Sequence, residues 1–234
     1  MKRTVFAALL CLVPVAEGFA ADLPSPELAP PPRYAPLQNY DWGGFYVGIN
    51  GGYGFGNSNW SNNTLPFQTG NFGINGGLAG ATLGINYQAG QFVFGFEADA
   101  DWTMFKGTSA VAYCSAITTG AGCQTEERWL ATFRARVGYA IDRVLIFGTA
   151  GGATGSIWAG LSPPGTFDIS NNFGWTVGGG LEAIITQNWT AKVEYLYVNL
   201  GSGVCPVNCG LAVPINVPLN ENLVRVGVNY RFAF

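Results

Sequence analysis

Apolar and polar residues alternate with a period of two along eight separate segments of this chain. The third segment is the clearest, with apolar side chains on one face (Phe92, Phe94, Phe96, Ala98, Ala100 and Trp102) and small or polar ones on the other (Gly95, Glu97, Asp99 and Asp101). Successive side chains of a strand point to opposite faces, so this period predicts half-buried β-strands. The other segments lie at 45–55, 74–87, 128–139, 144–157, 173–185, 189–197 and 224–234, and the faces of the segment at 144–157 stay unassigned.

The connections between these segments are alternately short and long. Short turns are predicted near residues 88–91, 141–143 and 186–188, and long loops rich in glycine and asparagine near 57–72, 104–124, 158–172 and 201–221. Outer-membrane barrels combine brief periplasmic turns with longer outside loops. The pattern therefore predicts an all-β fold: an eight-stranded antiparallel up-and-down transmembrane β-barrel with short periplasmic turns and long extracellular loops.

Composition decides which face of each strand points outward. Charged residues make up 11% of the chain, whereas a soluble barrel needs about 25–35% of its surface charged. Tryptophan and tyrosine gather near the segment ends, as the interfacial girdles of a membrane barrel require. We therefore expect the apolar face to contact lipid and the polar face, mostly glycine, threonine and asparagine, to line the lumen.

The charges that fall within the strands lie on this polar face. They comprise five acidic residues (Glu97, Asp99, Asp101, Glu182 and Glu194) and six basic ones (Arg128, Arg134, Arg136, Lys192, Arg225 and Arg231). The interior of an eight-stranded barrel is just wide enough for side chains to fill. A balanced set of charges in that space predicts an ion-pair network that plugs the lumen, and a selectivity filter or gate is the alternative.

The composition also excludes several function classes. The formal net charge is −3, which is unlike a nucleic-acid-binding protein. Histidine is absent, which removes the commonest general base and a favoured metal ligand. We therefore predict a protein that is not an enzyme and that has no catalytic, cofactor-binding or metal site.

The first forty residues are predicted to lie outside the barrel. Lys2 and Arg3 precede an apolar run at 4–15, and small residues at Gly18 and Ala20 mark a cleavage site, so residues 1–20 are a signal peptide for export. Six prolines between residues 22 and 39 forbid regular structure, so residues 21–40 are a periplasmic linker. The linker is interpreted as a spacer or as a contact with other envelope components, and residues 41–234 form the barrel domain.

Four cysteines remain after removal of the signal peptide, all in predicted outside loops. Local pairing of Cys114 with Cys123 and of Cys205 with Cys209 is the most economical of three possible connectivities. An oxidising periplasm permits such bonds. A metal site is the alternative, which the missing histidine and the mismatched spacings disfavour.

Four motifs resemble the small outer-membrane proteins of Gram-negative bacteria grouped as OmpA-like β-barrel, outer membrane immunogenic or porin-family proteins. They are Trp42–Gly48, Gly174–Glu182, Val193–Tyr197 and Asn222–Phe232, and they are spread over residues 42–234, which is nearly the whole mature chain. The resemblance implies an eight-stranded barrel in the outer membrane. It also implies a C-terminal aromatic signal, formed here by Tyr230, Phe232 and Phe234, that is read by the outer-membrane insertion machinery.

The leading functional hypothesis is a structural and surface-interaction barrel that supports the envelope and presents its loops. Its expected partners are outer-membrane lipid and lipopolysaccharide, the insertion machinery and other envelope components. A small-solute channel is the first alternative. The second is loop-mediated binding of a ligand, for which the resemblance suggests haemin, or of a host surface. An outer-membrane hydrolase or acyltransferase is a further alternative, which the missing histidine disfavours.

Overall fold

The computed structural model describes residues 40–62, 68–109, 122–162, 166–205 and 214–232. The predicted signal peptide and all of the linker except Tyr40 lie outside these ranges, as do Cys114, Cys209 and Phe234. No helix among the described residues is long and apolar enough to cross a membrane.

Eight strands close into one barrel, in which each strand pairs antiparallel with its neighbours in sequence and β1 pairs with β8. The strands are β1 (Gly44–Ser58), β2 (Phe72–Ala89), β3 (Phe92–Ser109), β4 (Gly122–Ile141), β5 (Val144–Ser162), β6 (Thr166–Ile184), β7 (Trp189–Cys205) and β8 (Ile215–Phe232). Closure leaves no strand edge unpaired, as the hydrocarbon core of a bilayer requires. The predicted fold class is confirmed.

Three tight connections lie at the end of the barrel where β1 begins and β8 ends, which we call the turn end. Two of them are two-residue hairpins, between β2 and β3 and between β4 and β5. Gly90 and Asp142 open these hairpins with φ angles of 64° and 52°, as two-residue hairpin turns demand. The predicted short turns therefore lie where the sequence placed them.

The connections at the opposite end, the loop end, are shorter than predicted. Strands β5 and β6 continue pairing to Leu161 and Thr166, so only residues 163–165 of the predicted loop at 158–172 connect them. Likewise β3 extends to Ser109 and β8 begins at Ile215. Glycine and asparagine favour loops by local propensity, but the barrel wall supplies hydrogen-bonding partners on both sides, and tertiary pairing overrides that propensity.

The apolar faces of the strands point outward. Phe133 is 63% exposed on the outside of β4, whereas the next residue in the alternation, Arg134, is 0% exposed. Near the turn end, the rings of Trp189 and Tyr230 lie 5.1 Å apart on the outer surface. The fifth strand follows the same rule, with Leu145, Phe147, Thr149 and Ala153 turned inward.

The lumen is layered rather than uniformly polar. Apolar side chains fill it at the turn end, where they form the inner cluster of Trp42, Val93, Ala140, Leu145, Phe147 and Ile184. A larger outer cluster fills it towards the loop end and comprises Trp60, Ile74, Leu78, Phe105, Cys123, Leu130, Ala153, Ile157, Ala159, Leu196, Val198, Leu200, Ile215, Val217, Leu219 and Leu223. The buried charges lie between these clusters, and that layer is the candidate functional site.

Candidate functional site

Arg134 is the centre of the charged layer. Its guanidinium donates to Glu194 Oε1 at 2.6 Å, to Glu97 Oε1 at 2.5 Å and to Asp99 Oδ2. These contacts join β4 to the adjacent β3 and, across the lumen, to β7. One fully buried cation therefore holds carboxylates from two sides of the barrel.

Arg225 makes the corresponding link from β8. Its Nη1 donates to Asp101 Oδ2 at 2.7 Å, and its Nη2 donates to Glu194 Oε2 at 2.6 Å. Asp99 lies between the two arginines, with its Oδ2 3.4 Å from Nη2 of Arg225. The two arginines and four carboxylates thus form one continuous layer across the lumen.

Lys192 and hydroxyl and amide side chains complete this layer on its inner side. The Nζ of Lys192 donates to both oxygens of Glu97 at 2.8 and 2.9 Å. Glu182 accepts from Thr190 Oγ1 at 2.5 Å and from Asn229 Nδ2 at 2.9 Å. Buried carboxylates without such donors would carry a large desolvation cost.

Arg136 connects the layer to the inner cluster. It donates to Glu182, and its guanidinium lies 3.9 Å from the ring centroid of Phe147. Tyr46 donates its hydroxyl to Glu97 Oε2 at 2.8 Å. The ring of Tyr46 occupies the space beside Gly84, where a Cβ would lie 2.2 Å from Tyr46 Cζ. Gly84 is therefore required for close approach.

Arg231 lies at the turn end of the lumen. Its guanidinium donates to the backbone carbonyl of Asp41 and lies 5.4 Å from the ring centroid of Trp42. Trp42 is fully buried, and its backbone amide donates to Gln88 Oε1 at 2.6 Å. Residues just before β1 thus turn into the barrel opening and cap it.

Ten of the eleven predicted lumen residues are brought together in this way, and Arg128 is not. The pairing register shifts between Glu127 and Leu130, so Arg128 and Trp129 both face outward. Arg128 is 49% exposed, lies 3.3 Å from Glu126 and stacks 3.6 Å over the ring of Trp158. The prediction for Arg128 was wrong because a β-bulge reverses the alternation at that point.

The same register shift buries a carboxylate that the alternation had placed towards lipid. Glu127 lies inside the lumen, and Glu221 of β8 lies there too, although the sequence placed it at the end of a loop. Along the barrel axis, both residues lie beside the outer cluster and outside the charged layer. The sequence signal was the run Glu126-Glu127-Arg128, in which consecutive charges interrupt the alternation.

The cysteine pairings stay a prediction. Cys123 is fully buried at the start of β4. Its proposed partner Cys114, and Cys209, lie outside the described residues, as does the side chain of Cys205. Within the described ranges, no group of three or more acidic, cysteine or histidine side chains could hold a metal ion.

Of the predicted insertion signal, two residues lie in the described part of β8. Tyr230 packs against Trp189, and Phe232 stands on the outer face with 51% of its surface exposed. Phe234 lies beyond the described residues. Recognition by the insertion machinery stays a prediction.

A closed eight-stranded barrel with an apolar exterior, aromatic residues near its strand ends and buried charge in its lumen is an integral outer-membrane β-barrel. The family model described as outer membrane protein beta-barrel domain matches residues 30–232. Two relatives cover 99% of this chain at 32% identity: the 31 kDa outer-membrane immunogenic protein of Brucella melitensis, over all of its length, and the 25 kDa outer-membrane immunogenic protein of Brucella abortus, over 99% of its length.

Among solved structures, the outer membrane protein OprG of Pseudomonas aeruginosa shares the fold. It matches with a TM-score of 0.53 at 12% identity, over 82% of this chain and 97% of that chain. The chain therefore belongs to the outer-membrane β-barrel family that includes these immunogenic proteins, and it resides in the outer membrane. The names of the relatives describe antigens, and the absence of enzymatic activity in this chain stays a prediction.

Proposed function

We propose that this protein is a closed barrel that supports the outer membrane and presents its loops at the surface, and that it does not serve as a conduit for solutes. The observation that carries the proposal is the cross-lumen ion-pair layer centred on Arg134 and Arg225. Guanidinium groups that bridge opposed strands occupy the space through which a solute would have to pass.

The distribution of charge within the layer supports closure rather than conduction. A conducting site must bind an ion weakly enough to release it. Here the cations already contact carboxylates at hydrogen-bonding distance, as Lys192 does with Glu97 and Arg225 does with Asp101. A permeating ion would have to break such contacts, which are strong because they are desolvated.

The apolar clusters on either side of the layer support the same function. At the turn end Trp42 is fully buried beneath the opening, and towards the loop end Phe105 and Leu223 belong to the outer cluster. A hydrated solute would therefore meet two apolar constrictions in addition to the charged layer.

Planar-bilayer recording on the refolded mature chain tests closure. We expect no stable conducting steps, with folding verified beforehand by the difference in gel mobility between unheated and heated samples. Stable steps from folded wild-type protein would refute the plug and support the small-solute channel. Arg128→Ala is the matched control, because it removes an arginine from the same strand outside the layer and should leave the recording unchanged.

Surface presentation is tested separately by inserting a short epitope tag. The relatives named as immunogenic proteins suggest accessibility of the loop end, and we extend that property to residues 110–121, which connect β3 to β4. Antibody should label intact cells that carry a tag there. A tag in the hairpin between Asp142 and Arg143 is the control and should be labelled only after the outer membrane is permeabilised. The opposite labelling would reverse the orientation.

A further inference from the structure

Two buried glutamates, Glu127 and Glu221, face each other across the lumen; we call them the acid pair. They come from β4 and β8, which are separated by four strand positions in either direction around the barrel and therefore lie opposite one another. Glu127 is 1% exposed and Glu221 is 0% exposed. The two carboxylates interact electrostatically with each other.

Outside the pair itself, the two carboxylates have no hydrogen-bonding partner among the side chains and backbone of the described residues. None of their four oxygens makes such a bond among the described residues. Their surroundings are apolar, since Glu127 is paired in register with Phe105 and Ile157, and Glu221 with Val198. Within the described ranges, no hydrogen-bond donor compensates for the loss of hydration.

Every basic residue of the barrel is engaged elsewhere. Five lie in or beside the charged layer, Lys106 and Arg128 contact Glu126 on the outer surface, and Arg143 contacts Tyr40 at the turn end. The barrel segments outside the described residues (63–67, 110–121, 163–165, 206–213 and 233–234) contain no lysine, arginine or histidine. The sequence of the barrel therefore offers no cation to neutralise the pair.

Two adjacent carboxylates in a desolvated site cannot both remain ionised at modest cost. Sharing one proton converts their repulsion into a hydrogen bond and gives an oxygen of each a partner. We propose that the acid pair holds a shared proton in the folded protein and that this proton links β4 to β8 across the loop end of the lumen. The closed outer half of the barrel thereby becomes sensitive to pH.

The other groups packed around the pair do not replace this proton. On β3 the nearest acidic group is Asp101, which already binds Arg225. On β5, Gly155 lies beside Glu127, because a Cβ there would lie 2.8 Å from Glu127 Oε1; the same Cβ would lie 3.1 Å from Leu200 Cδ1 of β7, and neither residue carries a charge. On β1, Gly56 and Ser58 lie near Glu221, and on β8 itself Leu219 and Leu223 flank it.

The direction of the pH dependence follows from proton counting. Glutamates of the unfolded chain release their protons near pH 4.3, whereas the proposed folded pair retains one above that pH. The folded state then binds more protons than the unfolded state, so stability falls as pH rises until the pair ionises. A pair in which glutamine replaces both glutamates cannot titrate and does not have this dependence.

Thermal unfolding of the refolded full-length mature chain, from about pH 5 to about pH 9, tests the proposal. Glu221→Gln should gain several degrees in melting temperature relative to wild type as the pH rises, and Glu127→Gln should behave alike. Glu126→Gln is the matched control, because it removes a neighbouring carboxylate that is also buried but is paired with Lys106 and Arg128, and its difference from wild type should stay constant. A constant difference for Glu221→Gln would overturn the proposal.

Infrared spectroscopy supplies a second readout that does not depend on stability. Wild type at neutral pH should show the carbonyl stretch of a protonated carboxyl group, and the double variant E127Q/E221Q should lack it. Absence of that band in wild type would overturn the shared proton. So would a wild-type melting temperature that falls on chelation of divalent cations, because it would assign a metal ion to the pair instead.

Discussion

Replacing Arg134 with alanine is the most direct perturbation of the charged layer. The side chain is fully buried and donates to Glu97, Asp99 and Glu194. Alanine removes the cation and leaves these carboxylates in the same desolvated space. Lys192 and Arg225 still contact these three carboxylates, but the variant loses the central guanidinium that joins all three.

The expected loss follows from the cost of leaving buried charge unpaired. Removing one partner of a buried ion pair costs about 3–5 kcal/mol. One kilocalorie per mole corresponds to a shift of roughly 2–4 °C in the melting temperature of a domain of this size. We therefore expect Arg134→Ala to lower the melting temperature by about 6–20 °C.

Thermal unfolding in detergent, followed by circular dichroism and by the gel mobility of unheated samples, measures this shift. Arg128→Ala is the control, because Arg128 is half exposed and contacts only surface groups. A surface substitution of this kind should change stability by no more than about 0.5 kcal/mol. Equal melting temperatures for the two variants would show that the buried ion pairs contribute nothing and would refute the reasoning.

Four further substitutions test three other parts of the structure. Phe133→Arg places a charge on the lipid face near the middle of β4 and should cost about 2–4 kcal/mol in lipid vesicles, as measured by denaturant unfolding; an unchanged midpoint would contradict the outward orientation. Trp42→Ala should lower the melting temperature through loss of a buried indole worth about 3–5 kcal/mol; an unshifted melting curve would reject the inner cap. Cys114→Ser and Cys123→Ser should each cost about 2–3 kcal/mol under oxidising conditions and yield unpaired thiols in mass spectrometry, and no change in either would reject their pairing.

The barrel could be predicted from the sequence because the pattern that defines each strand lies within a short segment of the chain. Alternation at a period of two identifies strands and separates their faces wherever one face meets lipid and the other does not. In the third segment each inward residue from Glu97 to Asp101 is polar and each outward one is apolar. Even the positions of the tight turns follow, because Gly90 and Asp142 lie where the chain must reverse.

The ends of the strands could not be predicted in the same way. Near the loop end the inward positions become apolar, as at Phe105 and Leu130, so polarity no longer distinguishes the lumen from the outside. The register shift at Glu127 then reverses the parity of Arg128. One indication was available: unshifted alternation would place Glu127 on the same face as Trp129, towards lipid, and such an unfavourable position predicts a bulge.

The acid pair lay beyond sequence reasoning for a different reason. Glu221 falls in a stretch rich in asparagine and proline, Pro218 to Asn222, which is typical of a loop. Its pairing with Glu127 depends on two strands that are ninety-four positions apart in sequence and on opposite sides of the barrel. Alternation reports the face of a residue but not its partner across the lumen.

The cross-lumen contacts therefore supply the information that alternation lacks. Arg134 on β4 contacts Glu194 on β7, and Arg225 on β8 contacts Asp101 on β3, so each link spans three strand positions of the closed barrel. If β4 slipped by one residue, Arg134 and Arg136 would face lipid at about 2–4 kcal/mol each, and the carboxylates would lose their cations. That total of roughly 4–8 kcal/mol is comparable to the whole stability of a typical domain, about 5–15 kcal/mol. The ion pairs thus reinforce the register that the apolar faces also favour.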